Sequence, residues 1–138
     1  MQWFLYALLS ALFAALATIL AKIGLRGLDP VVASTLRAVV MALLMLGFML
    51  VVKNSSLPSG LGFRSVLFIL LSGIAGAASW ILYFYALKIG EASRVAVVDR
   101  ASVLFVLVMA TIFLGEKITL YKIIAAILIF AGLVLITM

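Results

Sequence analysis

The sequence predicts an all-α integral membrane protein of five transmembrane helices, and three observations carry that prediction. Hydrophobic residues fill 69% of the 138 positions and charged residues only 10%, whereas a soluble domain holds about 25% charged residues and roughly half apolar ones. No water-soluble fold hides that much apolar surface, so the bilayer is the solvent. The apolar residues also fall into five runs of about twenty, the length a helix needs to cross a hydrocarbon core of about 30 Å. Between the runs stand short clusters of Gly, Pro, Asn, Ser and charged residues, which turn the chain. At this length one membrane domain, residues 1–138, accounts for the whole chain.

The first span is predicted from about Gln2 to Lys22. It lacks a basic leading segment and exceeds the roughly 7–15 apolar residues of a signal-peptide core, so it reads as a retained span. It runs out in Lys22-Ile23-Gly24-Leu25-Arg26-Gly27-Leu28-Asp29-Pro30, where two glycines and a proline make a loop. Asp29 is placed to cap the next helix and Pro30 to take its first position. The second span, about Val31 to Val52, carries Arg37 roughly two turns in. Lys53 to Arg64 is the most polar and breakable stretch; its Asn54-Ser55-Ser56 matches a glycosylation sequon, a match too short to carry weight.

The third span, about Ser65 to Leu87, holds a small-residue patch from Ser72 to Ser79, followed by Trp80, Tyr83, Phe84 and Tyr85. Small residues let helix backbones approach closely in lipid. Lys88-Ile89-Gly90-Glu91 turns into the fourth span, predicted as one helix from about Ala92 to Leu114. Gly115 to Thr119 turns again, and the fifth span runs from about Leu120 to Met138. Glu91 and Glu116 fall in these turns as interfacial charges, with Arg94 and Lys117 as their expected partners.

The formal net charge is +6. The basic residues sit mainly at the ends of apolar runs, where they meet lipid headgroups and set topology, so membrane lipid is the expected partner and nucleic acid is not. There is no Cys and no His. That removes disulfides, thiol chemistry and histidine acid–base catalysis, and leaves no expectation of a metal, a cofactor, a catalytic residue or an enzyme. No helix carries a ring of like polar residues of the kind that lines a channel.

With five spans the termini face opposite sides. The N-terminal side collects Lys53, Arg64, Lys117 and Lys122, and the other side Lys22, Arg26, Lys88 and Arg94, four against four. Counting the shallow Arg37 and Arg100 tips the second side to six, a mild lean that places it in the cytoplasm by the positive-inside rule. A balance this close is open to two readings, a single weakly set orientation and dual insertion.

Several short pieces, in order and at their spacing, carry a resemblance. They are Ala21-Lys22-Ile23-Gly24-Leu25 with Leu28-Asp29-Pro30, Leu36-Arg37, Tyr85-Ala86-Leu87-Lys88-Ile89-Gly90-Glu91-Ala92-Ser93, and Phe113-Leu114-Gly115-Glu116-Lys117-Ile118-Thr119. The chain resembles the EamA-type members of the drug/metabolite transporter superfamily over one whole five-helix repeat. Members usually carry two such repeats in opposite orientation, and this chain has one. Many relatives have a proline in the fourth span, near where Val97 stands here. The Asp99-Arg100 pair looks like the acidic–basic pair of short single-repeat relatives. The resemblance implies a small secondary transporter of a metabolite or drug-like compound in the cell (inner) membrane. With the loop charges balanced, it implies an antiparallel homodimer that rebuilds inverted-repeat symmetry. The alternative is an accessory subunit that needs a different partner repeat.

Asp99 is the only acidic residue well inside an apolar span. Insertion scales put a charge at mid-bilayer at about 2.5–3.5 kcal/mol, and such residues are functional candidates by default. Asp99 and Arg37 each lie seven residues from the same end of their spans, about 10 Å deep at 1.5 Å per residue, so an ion pair between them is predicted to be level. Arg100 is rotated by about 100° from Asp99 on a helix and faces a different neighbour or the interface. Two readings stay open. Asp99 either holds the second and fourth spans in register, or it lines a cavity and exchanges a proton or cation for substrate while Arg37 and Arg100 bind an anionic group. Ser10, Ala14, Thr18 and Lys22 form a row on one face of the first span, and Trp80, Tyr83 and Phe84 share a face of the third. Ser10, Thr18, Trp80 and Tyr83 are the candidate cavity lining, against a packing role for both rows. Ala125, Ala126, Ala131 and Gly132 mark a helix-association stripe on the fifth span.

Overall fold

A computed structural model describes residues 2–53 and 62–138. The sequon Asn54-Ser55-Ser56 and most of its loop lie outside the described residues. The described chain is helical: α1 Gln2–Gly24, α2 Pro30–Lys53, α3 Phe63–Ile89, α4 Ala92–Asp99, α5 Ser102–Leu114 and α6 Leu120–Thr137. By length and composition five segments are able to cross a membrane, with α4 and α5 together, Ala92–Leu114, forming the fourth. The shortest, at 18 residues, reaches about 27 Å.

The helix ends show why these residues form these elements. Asp29 Oδ1 accepts from the backbone N–H of Val31 at 2.8 Å and of Val32 at 3.4 Å. The two N–H groups at the start of α2 that lack a backbone partner are thereby satisfied, Ala33 N–H reaches Asp29 O, and Pro30 occupies a position where an N–H is not needed. Gly27 turns the preceding loop at φ +85, a backbone state that glycine adopts without steric cost. Thr119 accepts from the N–H of Lys122 at the start of α6, and Gly115 closes α5 in the left-handed conformation at φ +67.

The fourth span departs from the sequence expectation of one continuous helix. Between α4 and α5 the hydrogen bonds reach three residues back instead of four: Arg100 N–H to Val97 O, Ala101 N–H to Val98 O, Val103 N–H to Arg100 O and Leu104 N–H to Ala101 O. Arg100 (φ −68, ψ −9) and Ala101 (φ −57, ψ −23) stay in the right-handed region, so the chain tightens into a 3₁₀ turn without reversing. No proline or glycine stands there, which is why the sequence carries no break signal.

The chain divides into two compact units, residues 1–89 and 90–138. In the first, α3 packs against both α1 and α2; in the second, α6 packs against both α4 and α5. The buried side chains of the first unit gather at one end, where α1 and α3 finish and α2 begins: Leu25, Pro30, Ser34, Phe84 and Leu87. Elsewhere the spans present Leu, Ile, Phe, Val and Met outward, as expected of a lipid-facing surface. Span hydroxyls turn back to their own helix, Ser34 and Thr35 to Val31 O, Thr111 to Leu107 O and Thr137 to Val134 O, so they need no water in the bilayer. In the second unit the half-buried face of α6 is Lys122, Ala126, Ile129, Leu133 and Ile136, at helical spacing. Ala125, Ala131 and Gly132 stand off that face, exposed.

Candidate functional site

In the first unit the predicted residues come together in two contacts. The Arg37 guanidinium lies 4.8 Å from the centroid of the Trp80 ring and 5.8 Å from that of Phe84. Trp80 and Phe84 are four residues apart on α3 and so present one face, onto which α2 lays Arg37. The aromatic face takes a cation of the chain itself. The unit's one acidic residue, Asp29, is engaged at the N-terminus of α2, so within this unit the rings are what Arg37 faces.

The second contact joins the two rows of candidate lining residues. Tyr83 and Thr18 hydroxyls are 2.9 Å apart, and Thr18 also donates to Ala14 O at 2.9 Å. A threonine hydroxyl has one hydrogen, so that hydrogen goes to Ala14 and Tyr83 donates to Thr18 Oγ1. This bond fixes α1 against α3 at the depth of the aromatic face. Ser10, two turns further along α1, is exposed and takes no part in it.

Two cavities flank these contacts. One of about 690 Å³ lies between α2 and α3, lined by Ser34, Thr35, Trp80 and the small residues Gly73, Gly76 and Ala77. Here the small-residue patch of the third span opens a groove rather than a close helix contact. The other, of about 330 Å³, is lined by Ala17, Ala21, Gly24, Arg37 and Phe84. Arg37 thus lies against rings that border both. The volumes fall in the range of small-molecule sites, with few polar groups in mainly apolar walls.

In the second unit Asp99 is the last residue of α4 and Arg100 begins the 3₁₀ turn, both exposed. The ion pairs described for this unit are Glu91–Arg94 at 2.9 Å and Glu116–Lys122 at 3.0 Å, and Asp99 enters neither. Arg94 is the partner expected for Glu91. For Glu116 the partner is Lys122 rather than the expected Lys117, because Lys122 stands one turn into α6 and its ammonium also reaches Lys117 O at 3.2 Å.

Phe84 is more central than its sequence reading as one of several shared-face aromatics; it is 2% exposed and touches Arg37. The signal was present in depth. Arg37 lies seven residues from the start of α2, and Trp80 and Phe84 lie nine and five from the end of α3, at the same membrane edge. For Lys22, Arg26 and Lys88 the sequence gave a shared membrane edge but no sign that the three line one recess.

Comparison with known proteins agrees with the five-span architecture. The EamA-like transporter family matches residues 1–138. A protein of Sinorhizobium sp described as "Uncharacterized transporter in cobO 3'region" is 39% identical over 134 residues, covering 97% of this chain and 95% of its own length. No solved structure matches. Five apolar spans, one repeat in length, and a family match from end to end lead to one conclusion: the chain belongs to the EamA-like transporter family.

Proposed function

We propose that this membrane transporter is a small secondary carrier of a metabolite or drug-like compound, working by alternating access as an antiparallel homodimer in the cell (inner) membrane. The observation that carries the reading is the interrupted fourth span. Transporter binding sites are typically built where a span is discontinuous, because backbone groups and side chains there turn toward a cavity instead of lipid. Here the interruption falls on Asp99-Arg100-Ala101, the place where the chain carries an acid and a base into a span. In this reading Asp99 exchanges a proton or cation against substrate, and Arg37 and Arg100 receive an anionic group. The aromatic face of Trp80, with the Thr18–Tyr83 pair behind it, forms the wall. Ser10 extends that wall along α1. The exposed Ala125, Ala131 and Gly132 of α6 give a second copy a close approach, and the near-even loop charges permit it to insert the other way up.

A thermal-shift screen of metabolites on purified protein supplies a substrate for uptake into proteoliposomes. Asp99→Asn is expected to fold and self-associate but to lose coupled uptake; retention of both uptake and proton coupling removes Asp99 from the mechanism. Impermeant thiol labelling of Ser56→Cys in intact cells tests the antiparallel arrangement, and labelling of every copy from one side only sinks it. If tagged and untagged copies fail to co-purify, the accessory-subunit alternative takes the place of the homodimer.

A further inference from the structure

At the end of the first unit where α1 and α3 finish, Lys22, Arg26 and Lys88 converge on a recess of about 250 Å³, completed by Ile23 and Leu25. No carboxylate lines it. The ammonium groups are held by the backbone: Lys22 Nζ donates to Leu87 O and to Lys88 O, and Lys88 Nζ donates to Leu28 O at 2.9 Å. The simplest role for these lysines is to satisfy the last carbonyls of α3 and of the α1–α2 loop. That role does not use up the charge. A helix C-terminus carries roughly half a negative charge and an N-terminus half a positive one. Two C-termini and Asp29, set against three cations and the start of α2, leave a net charge of about +1.5 at this edge. Asp29 is turned into α2, and Glu91, the carboxylate next along the chain, pairs with Arg94 at 2.9 Å. Among the described residues of its own unit, no hydrogen bond or ion pair engages the Arg26 guanidinium, which has five donors suited to phosphate.

We infer that this recess binds the phosphate of an anionic phospholipid headgroup. Its place at the helix ends puts it at headgroup level, and Ile23, 57% exposed on the α1 surface beside it, offers an acyl chain an apolar wall. A phosphate with an attached tail meets both features; a free phosphate ester meets only the first. Neither Arg37 nor Asp99 lines the recess, so the proposal stands or falls independently of the transport reading.

The test is thermal unfolding of the purified protein in mild detergent with phosphatidylglycerol or phosphatidylcholine added. Phosphatidylglycerol is expected to raise the midpoint by roughly 5 °C more than phosphatidylcholine. Arg26→Gln is expected to lose most of that difference and Arg26→Lys to keep part of it. Arg64→Gln, which removes a cation from the other end of α3, is expected to keep all of it. Should Arg26→Gln fold poorly, native mass spectrometry of the wild type and Arg26→Lys counts bound phosphatidylglycerol directly, with fewer lipids retained by the lysine variant. Equal shifts from the two lipids, or a full shift in Arg26→Gln, overturn the site. A shift reproduced by glycerol phosphate alone overturns the lipid assignment in favour of a soluble phosphate ester.

Discussion

Removing the ring beneath Arg37 tests whether the aromatic face holds that cation. Trp80→Leu keeps an apolar side chain at the position but takes away the π surface 4.8 Å from the guanidinium, leaving Phe84 at 5.8 Å. A cation over an aromatic face within about 6 Å gains about 0.5–1 kcal/mol when exposed and about 2 kcal/mol when desolvated. Arg37 and Trp80 are both half-buried, which places the Trp80 contact at about 1 kcal/mol. Set against the roughly 2.5–3.5 kcal/mol of carrying an arginine into a span, that single ring recovers about a third of the cost. The assay is a double-mutant cycle of Trp80→Leu with Arg37→Met, read from reversible unfolding in mixed micelles. The cycle removes the packing loss common to both backgrounds and isolates the pair. Trp80→Leu is expected to cost about 1 kcal/mol less in the Arg37→Met background than in the wild type. A coupling within about 0.3 kcal/mol of zero refutes the contact as an energetic one.

Two further predictions use the same unfolding measurement. Tyr83→Phe removes the donor to Thr18 while Thr18 keeps its bond to Ala14 O, and is expected to cost about 0.6 kcal/mol, the average for interhelical hydrogen bonds in lipid; Thr18→Val with Tyr83→Phe should cost little more than either alone. Gly115→Ala is expected to cost about 1 kcal/mol or more because its φ is +67, and Gly115→Asn less. A Cβ at Gly115 meets no atom within 4 Å, so equal losses for the two substitutions count against backbone strain as the cause.

The spans were legible because lipid imposes a length and an apolar composition on each, independently of what the helices pack against. The Asp29 cap and Pro30 start were legible too, since both are local chemistry: a carboxylate two or three residues from unpaired N–H groups, and a ring that needs no N–H there. The interruption at Arg100-Ala101 was not. Arginine and alanine are both good helix formers, and the turn consists in a change of hydrogen-bond partner that leaves φ and ψ in the same region. Glu116 illustrates the same limit. Its neighbour in sequence, Lys117, was the expected partner, whereas the start of α6 folds Lys122 back to it.

What the sequence determined alone was the solvent of the fold, the number and bounds of the spans, the residues at their ends and the family. The first three follow from composition, local capping and linear spacing; the family follows from the order of the short motifs that carry the resemblance. What the tertiary structure decided was which side chains meet. It set Arg37 on Trp80 and Phe84, joined Thr18 to Tyr83, and drew Lys22, Arg26 and Lys88 around one recess. A run of apolar residues states that a helix is in lipid but leaves its rotation and neighbours open. Those are fixed only when α3 packs against α1 and α2, because a helix's polar side chains find their partners across the interface and not along the chain.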